Sequence, residues 1–419
     1  MHRMKVAIVG AGFTGLSVAY KLTKEKITVD IFEKEKSLGG LASSFSLPNW
    51  QNPLEKHYHH WFTNDSHALD LIKELGLEQD LIFPKTTTSI YYQGNSYPFN
   101  SPLDLLNFHP LKLSSRVRTG VILLYLKILP KVWAIELEKF TAYYWLEKWF
   151  GKQSFEILWQ PLLLGKFGAL ASKINMAWFW ARIKKRTMRL GYLHGGYQKL
   201  IDSMAHEINQ NGGKFFLSTS FDSNHVSKYD KVIVTAPTDY FLNTFRNFPV
   251  EYKRRLSQIP HLHALNFVMI TKKKFLDRVY WLNINENNFP FIGVIQQTNM
   301  IDCSSYGNQH ITWVANYLPP NHPYLKMTPD MLYKTYLPFL KKINKDFDFQ
   351  GSIINCYTFL GKFAQPVFPV HYSRVKPDFI TPFDNVYLAN MDMVYPWDRG
   401  TNYAIELGYE VAKMVTRES

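Results

Sequence analysis

The apolar positions of the first thirty residues change period twice. Lys5-Val6-Ala7-Ile8-Val9 carries four consecutive apolar residues, the pattern of a short strand buried on both faces. Gly10 to Gly15 interrupts it as a glycine turn, and Leu16 to Leu22 continues as a helix. Ile27 to Phe32 is a second apolar strand that ends at Glu33. Together they predict the opening βαβ unit of a parallel sheet. Leu69, Ile72 and Leu75 have helical spacing behind the capping residues Asn64, Asp65 and Ser66, and Gly76 fits the position after the helix. Residues 86–100 have strand character and read as a hairpin turning at Gly94 and Asn95. From Leu111 to about Arg189 the spacing is mainly helical.

Gly195 and Gly196 precede a helix with Leu200, Ile201, Met204 and Ile208 on one face. Strands are predicted at Phe215–Phe221 and Val232–Thr235, and longer aromatic strands of an antiparallel sheet between His261 and Tyr317. A helix over Thr328–Asn344, a strand at Val386–Ala389 and a helix over Asn402–Val415 complete the chain. The implied fold is α/β, with a Rossmann-like nucleotide-binding domain built from discontinuous segments, 1–55, 191–260 and 381–419. A mixed-sheet substrate domain takes 56–110 and 261–380, and a helical subdomain takes 111–190.

The 419 residues allow two or three domains. With 46% apolar and 20% charged residues, disordered, collagen-like and coiled-coil classes are excluded. The aromatic share of 16% suits a large pocket, a membrane-facing patch or ordinary core packing. Two cysteines, Cys303 and Cys356, cannot make a disulfide framework, and no Cys or His pair has zinc-ligand spacing, so no metal site is expected.

The formal net charge of +14 attracts anions: nucleic acid, acidic lipid or a phosphorylated substrate. Cations cluster at Arg182, Lys184, Lys185, Arg186 and Arg189, and more loosely at Lys112, Arg116, Arg118, Lys127 and Lys131. Each cluster is equally readable as a solvated helix face. No nucleic-acid module is present, so nucleic acid is not expected as a partner. The basic start and the apolar run from Val6 to Tyr20 resemble a signal peptide, but its central glycines fit a strand and turn better. No segment has the 18 to 20 uncharged apolar residues of a membrane span. The nearest, Thr119–Ile135, is interrupted by Lys127, Pro130 and Lys131; it reads as a bilayer-surface segment or as a buried helix pair. The expected location is cytoplasmic, with peripheral membrane contact left open.

Candidate chemistry begins in the glycine turn. In Gly10-Ala11-Gly12-Phe13-Thr14-Gly15, Gly10 permits the tight turn, Gly12 admits a pyrophosphate against the backbone, and Gly15 permits close helix packing. The helix start offers N–H groups to phosphate. Glu33 lies 23 residues after Gly10, placed to accept hydrogen bonds from a ribose and to repel a 2′-phosphate. The pattern predicts a dinucleotide, and not NADP.

Four further segments resemble the FAD-dependent amine oxidase and protoporphyrinogen oxidase-like flavoproteins. Glu33-Lys34-Glu35-Lys36-Ser37-Leu38-Gly39-Gly40-Leu41 resembles their second FAD segment, with Gly39 and Gly40 near the diphosphate and Leu41 where the family often has Arg. Lys231–Pro237 resembles the strand that closes over adenosine, ending in Ala236 and Pro237; Phe216–Phe221 would carry backbone contacts to adenine. Asn385–Ala389 resembles the strand reaching the ribityl chain. There Asn390 and Met391 replace the usual Gly and acid, and Asp392 or Asp398 is expected to substitute. Gly400-Thr401-Asn402-Tyr403-Ala404-Ile405 resembles the flavin-facing helix start, whose N–H groups stabilise negative charge on the ring's N1/O2 side. The resemblance implies FAD, held non-covalently because no cysteine lies near this segment.

His57-Tyr58-His59-His60-Trp61-Phe62 resembles the histidine stretch of UDP-galactopyranose mutase and related flavoproteins. His57 and His60 are candidates for proton exchange, for hydrogen bonding to the flavin, or for plain packing. Pro161–Gly168 and Phe363–Pro369 also resemble family segments; Lys166 reads as a substrate-anion contact or a structural ion pair. Arg399 would anchor an anionic substrate, oppose charge on reduced flavin, or hold its loop through an aspartate. The implied activity is hydride transfer from an unidentified organic small molecule, apolar or phosphorylated, to flavin N5, with the electron acceptor unassigned. Two alternatives stand: a flavin-dependent sugar-nucleotide mutase without net redox change, and a catalytically inactive flavin-binding structural or interaction protein. A plain NAD dehydrogenase would leave the paired glycines and the C-terminal segment unexplained.

Overall fold

The computed structural model describes residues 4–417. The basic start at residues 1–3 and the outer ends of the two terminal segments, residues 1–3 and 418–419, lie outside the described residues. In chain order the principal elements begin with β1 (Lys5–Val9), α1 (Phe13–Lys24), β2 (Thr28–Phe32) and α2 (Ser66–Glu74). The hairpin β3 (Thr87–Tyr92) and β4 (Asn95–Pro98) follows. A helical stretch comes next: α3 (Pro102–Leu106), α4 (Leu113–Ile128), α5 (Lys131–Ala134), α6 (Ala142–Phe150), α7 (Gln160–Phe167) and α8 (Met176–Lys185). Then come α9 (Gly196–Gln210), β5 (Lys214–Phe216), β6 (Lys231–Val234), α10 (Thr238–Thr244) and α11 (Val250–Ser257). The long strands are β7 (His261–Thr271), β8 (Val279–Ile284), β9 (Gly293–Gln296), β10 (His310–Leu318) and, after α12 (Pro329–Ile343), β11 (Ile353–Pro366). The chain closes with β12 (Val386–Leu388) and α13 (Thr401–Arg417).

Two sheets organise these elements. The first is wholly parallel, in the order β5-β2-β1-β6-β12. Its apolar runs are continuous because helices cover both faces. Gly408 lets α13 cross α1 closely: a Cβ there would lie 2.6 Å from the Thr14 carbonyl oxygen. The second sheet runs β11-β7-β10-β9-β8-β3-β4. It is antiparallel except where β8 pairs parallel with β3, so it is mixed. One face packs on α12 through Phe267 against Tyr336, with Leu332 and Leu340 also buried.

Two expectations change, and the break at Pro130 is found where the helix-pair reading put it. The first helix starts at Phe13 rather than Leu16, so the fingerprint's second half is helical. The strand expected over Phe215–Phe221 stops at Phe216. There the Ser218 and Thr219 N–H groups bond to the Glu35 and Glu33 carbonyls, so the chain wraps the end of β2 instead of extending the sheet, and Phe216–Phe221 as a whole is not the adenine-side strand. The helical stretch breaks at Pro130, which lacks an N–H and becomes the cap of α5. Among the described residues no helix is long and apolar enough to cross a membrane.

Candidate active site

The turn after β1 is built by backbone contacts that side chains would block. A Cβ on Gly15 would lie 1.9 Å from the Gly10 carbonyl oxygen. The Gly39 N–H donates to the Ala11 carbonyl at 2.8 Å, and Gly40, at φ +56°, presses on Gly12 so closely that a Cβ would sit 3.2 Å from its Cα. The two glycine segments thus form one ledge of exposed backbone beside the N-terminus of α1. Glu33 is buried; its Oε2 accepts from the Ala11 N–H at 2.8 Å and its Oε1 from the Glu35 N–H at 2.9 Å. Each oxygen keeps a lone pair for a ribose hydroxyl.

One cavity of about 990 Å³ joins this ledge to the second sheet. That volume is at the upper end of ligand pockets, roughly 300–1,000 Å³, and suits an extended dinucleotide with a second molecule beside it. Gly10, Gly12, Phe13, Thr14, Glu33, Lys34, Gly39, Gly40, Leu41, Ala236 and Pro237 all border it. So do Asp392, Gly400, Thr401, Asn402, Ala404, His57, His60 and Arg399. Gly15 does not; it packs beneath Gly10. The glycine ledge and the carboxylate fit FAD: the ledge is filled by nothing from the chain, and a Cβ would obstruct it.

At the far end, the first helical N–H to find its acceptor is that of Ala404, bonded to Gly400. The N–H groups of Thr401, Asn402 and Tyr403 have no intrahelical acceptor and stand at the cavity wall. Their side chains serve the scaffold: Thr401 Oγ1 accepts from Trp61 Nε1 at 2.9 Å, and Asn402 Oδ1 accepts from the Ala68 N–H at 3.1 Å.

The two acids expected at the ribityl chain are engaged elsewhere. Asp392 accepts from the Thr238 hydroxyl and pairs with His261 Nε2 at 2.7 Å. Asp398 accepts from Lys166 Nζ at 3.2 Å, Trp178 Nε1 at 3.1 Å and the Arg182 guanidinium. Both carboxylates therefore hold loops together, and both still border the cavity where the ribityl contact is expected. Burial alone would raise the Asp398 carboxyl, but Lys166 and Arg182 outweigh it and hold it down at about 2. Lys166 thus makes the structural ion pair.

The histidine tract lines the chamber in neutral form. His57 Nδ1 meets the Asn266 amide at 3.0 Å, so the amide donates and the ring accepts. His59 Nδ1 lies 2.6 Å from the His57 carbonyl and donates to it. His60 stands edge-on to Trp281, with ring centroids 5.8 Å apart. Burial pushes His57 and His60 down to about 3 and His59 to about 4, with neighbouring cations adding to the effect at all three and the bond to the His57 carbonyl opposing it at His59.

Arg399 has no carboxylate partner among the described residues. Its Nε donates to Gln365 Oε1 at 3.0 Å, and its guanidinium carbon lies 4.8 Å from the Tyr317 ring centroid. The alternative of an Arg399–Asp pair is not formed, because the adjacent Asp398 faces Lys166 and Arg182. Tyr317 is fixed in turn by a 3.0 Å hydrogen bond to Tyr58.

Several residues of the chamber were not anticipated: Trp281, Tyr317 and Asn285 in its wall, and Asn266 behind His57. The signal available was an asparagine inside an apolar strand, as at Asn266, which is 2% exposed. Asn285 repairs a defect of the helical wall. Pro161 cannot donate to the Ile157 carbonyl, and Asn285 Nδ2 supplies that bond at 2.8 Å.

Comparison with known proteins agrees with this geometry. A family model described as flavin containing amine oxidoreductase matches residues 13–416. Coproporphyrinogen III oxidase of Staphylococcus aureus (strain NCTC 8325 / PS 47) is 25% identical over 299 residues, 58% of this chain and 63% of that protein, so the chain spans just under two thirds of its relative. A crystal structure from Exiguobacterium sp. 255-15, provisionally named a protoporphyrinogen oxidase, superposes with TM-score 0.77 at 16% identity over 100% of both chains. Reduced UDP-galactopyranose mutase superposes with TM-score 0.76 at 14% identity over 99% of this chain and 96% of that one. At these identities the structural matches are matches of fold.

Proposed function

Because the chain belongs to the flavin-containing amine oxidoreductases, we propose that it binds FAD non-covalently in this cavity and oxidises a largely apolar organic substrate bearing at least one anionic group. The observation that carries the reading is the continuity of the cavity, from the glycine ledge to a chamber where Arg399 faces an aromatic wall without a carboxylate partner. FAD, when bound, supplies the hydride acceptor at N5.

The protein supplies placement and electrostatics. Glu33 takes the ribose hydroxyls, and the ledge with the start of α1 takes the diphosphate. The free N–H groups of residues 401–403 and the positive end of the 17-residue α13 favour negative charge beside them. Arg399, stacked on Tyr317, holds the substrate anion. His57 and His60 act as neutral hydrogen-bonding and packing groups; with pKa values near 3 they are poor bases at neutral pH.

Anaerobic mixing of the flavin-loaded protein with candidate donors tests this. Coproporphyrinogen III, the compound in the Staphylococcus relative's name, is the first to try. The expected result is bleaching of the flavin band by an anionic donor alone. Arg399→Met should raise the Kd of that donor about 10- to 100-fold, the loss of a charged hydrogen bond, and leave a neutral analogue unaffected. Failure of every anionic donor, with turnover of a nucleotide sugar only after prior flavin reduction, would favour the mutase reading that the fold match and the histidine tract support.

A further inference from the structure

Helix α4 is apolar on two faces. Thr119, Ile122, Leu123 and Leu126 turn inward. Leu113, Val117, Val121, Leu124 and Ile128 recur at helical spacing on the outside, each between 51% and 66% exposed. Val132 and Trp133 of α5 continue the row at 72% and 67%. Isolated exposed apolar residues are ordinary, but a continuous row along one helix is a mark of an interaction surface.

The two stretches of chain that form this face carry cations and no acids, although Glu406 and Glu410 of α13 act on Lys131 from beside it. No Asp or Glu lies between Asp104 and Glu136, a stretch that holds Lys112, Arg116, Arg118, Lys127 and Lys131. None lies between Glu156 and Asp202, which holds the Arg182–Arg189 cluster. The fold joins the two stretches. Lys127 Nζ donates to the carbonyls of Lys184 and Arg186 at 2.9 and 2.6 Å, and Lys184 Nζ donates to the Lys127 carbonyl at 2.8 Å. The apolar row therefore ends beside a second group of cations. That group also borders the cavity: Lys185, Arg186, Thr187 and Met188 line it, and Met188 is 67% exposed, which places an opening of the cavity at this edge.

We propose that this face docks peripherally on an anionic lipid bilayer, with the outer row of α4 and the α5 side chains in the acyl boundary and the flanking cations at the phosphates. Charge selects this occupant. A second copy of the chain would bring cation clusters against cation clusters, whereas anionic headgroups neutralise them. The proposal does not depend on the redox reading of the cavity.

Co-sedimentation of the flavin-loaded full chain with vesicles is the test. The protein should pellet with phosphatidylcholine mixed with phosphatidylglycerol, much less with phosphatidylcholine alone, and less as salt rises. Val121→Asp/Leu124→Asp/Ile128→Asp should weaken binding at least about tenfold while flavin content is retained. Leu124→Ser/Ile128→Ser should weaken it in the same direction. Val250→Asp, at an exposed position of α11, should bind like the wild type. Wild-type protein left in the supernatant with the anionic vesicles would overturn the proposal, as would triple-variant binding equal to wild type. A dimer abolished by the triple variant, without vesicle binding, would overturn it in favour of a second copy.

Discussion

Asp398 shows how much of the chamber rests on single side chains. Lys166 is nearly buried, and its nearest carboxylate is Asp398. Asp398→Asn should destabilise the protein by about 3–5 kcal/mol, because it leaves Lys166 and Arg182 without their shared carboxylate, and Lys166→Met in the same background should recover part of the loss. Urea denaturation of the single and double variants checks this. The histidines make a separate prediction. Their folded pKa values, about 3 for His57 and His60, lie below the unfolded value near 6.5. Unfolding therefore takes up protons between those limits, and stability falls as pH drops from about 6.5 toward 3. Buried Glu55, pushed up from 4.5 to about 7, opposes this where the two windows overlap, since its folded form holds the extra proton. The observable is thus a difference: His57→Gln/His60→Gln should lose less Tm than wild type between pH 7 and pH 5. An equal loss in both would show that these rings are not buried in neutral form. None of this environment was readable from the residues: His57-Tyr58-His59-His60 announced a cluster, but its neutrality comes from burial under strands more than two hundred residues away.

At the scale of elements, glycine was the most legible feature because backbone sterics fix where it is needed. Gly10, Gly12 and Gly15 were legible from their spacing, Gly39 and Gly40 from the resemblance of their segment to a family one, and the ledge they form is a backbone property. Gly408 carried no such pattern, although α13 crosses α1 over it. Gly408→Val should cost about 1–3 kcal/mol as an overpacked contact and lower flavin content, since α1 and α13 both present their N-terminal ends to the cofactor. Thermal unfolding and the flavin-to-protein ratio measure both; unchanged values would contradict this account of the crossing. The misread strand at 215–221 has the opposite lesson. Its apolar residues suited a strand, but two of its N–H groups bond outside the sheet, and local pattern does not record that. Trp281 and Tyr317 reach the chamber through sheet register, which one chain's periodicity does not specify.

For the whole molecule, three separated stretches meet in one parallel sheet, and the cavity lies between that sheet and the mixed one. The order of βαβ unit, paired glycines and C-terminal strand and helix made this architecture legible. The substrate chamber was much less so, because its walls come from strands that carry no motif. The net charge of +14 and the cations flanking α4 were visible in the sequence, but their meeting with the Arg182–Arg189 cluster needed the fold. The central claim is that this cavity holds FAD without a covalent bond and passes substrate electrons to it. The most direct test is the visible spectrum of the purified protein before and after anaerobic addition of dithionite, followed by acid precipitation. A flavin band that bleaches, with FAD recovered in the supernatant, is the predicted result. Protein that shows no flavin and takes up none when FAD is added would contradict the account, and colour retained in the acid pellet would contradict non-covalent binding.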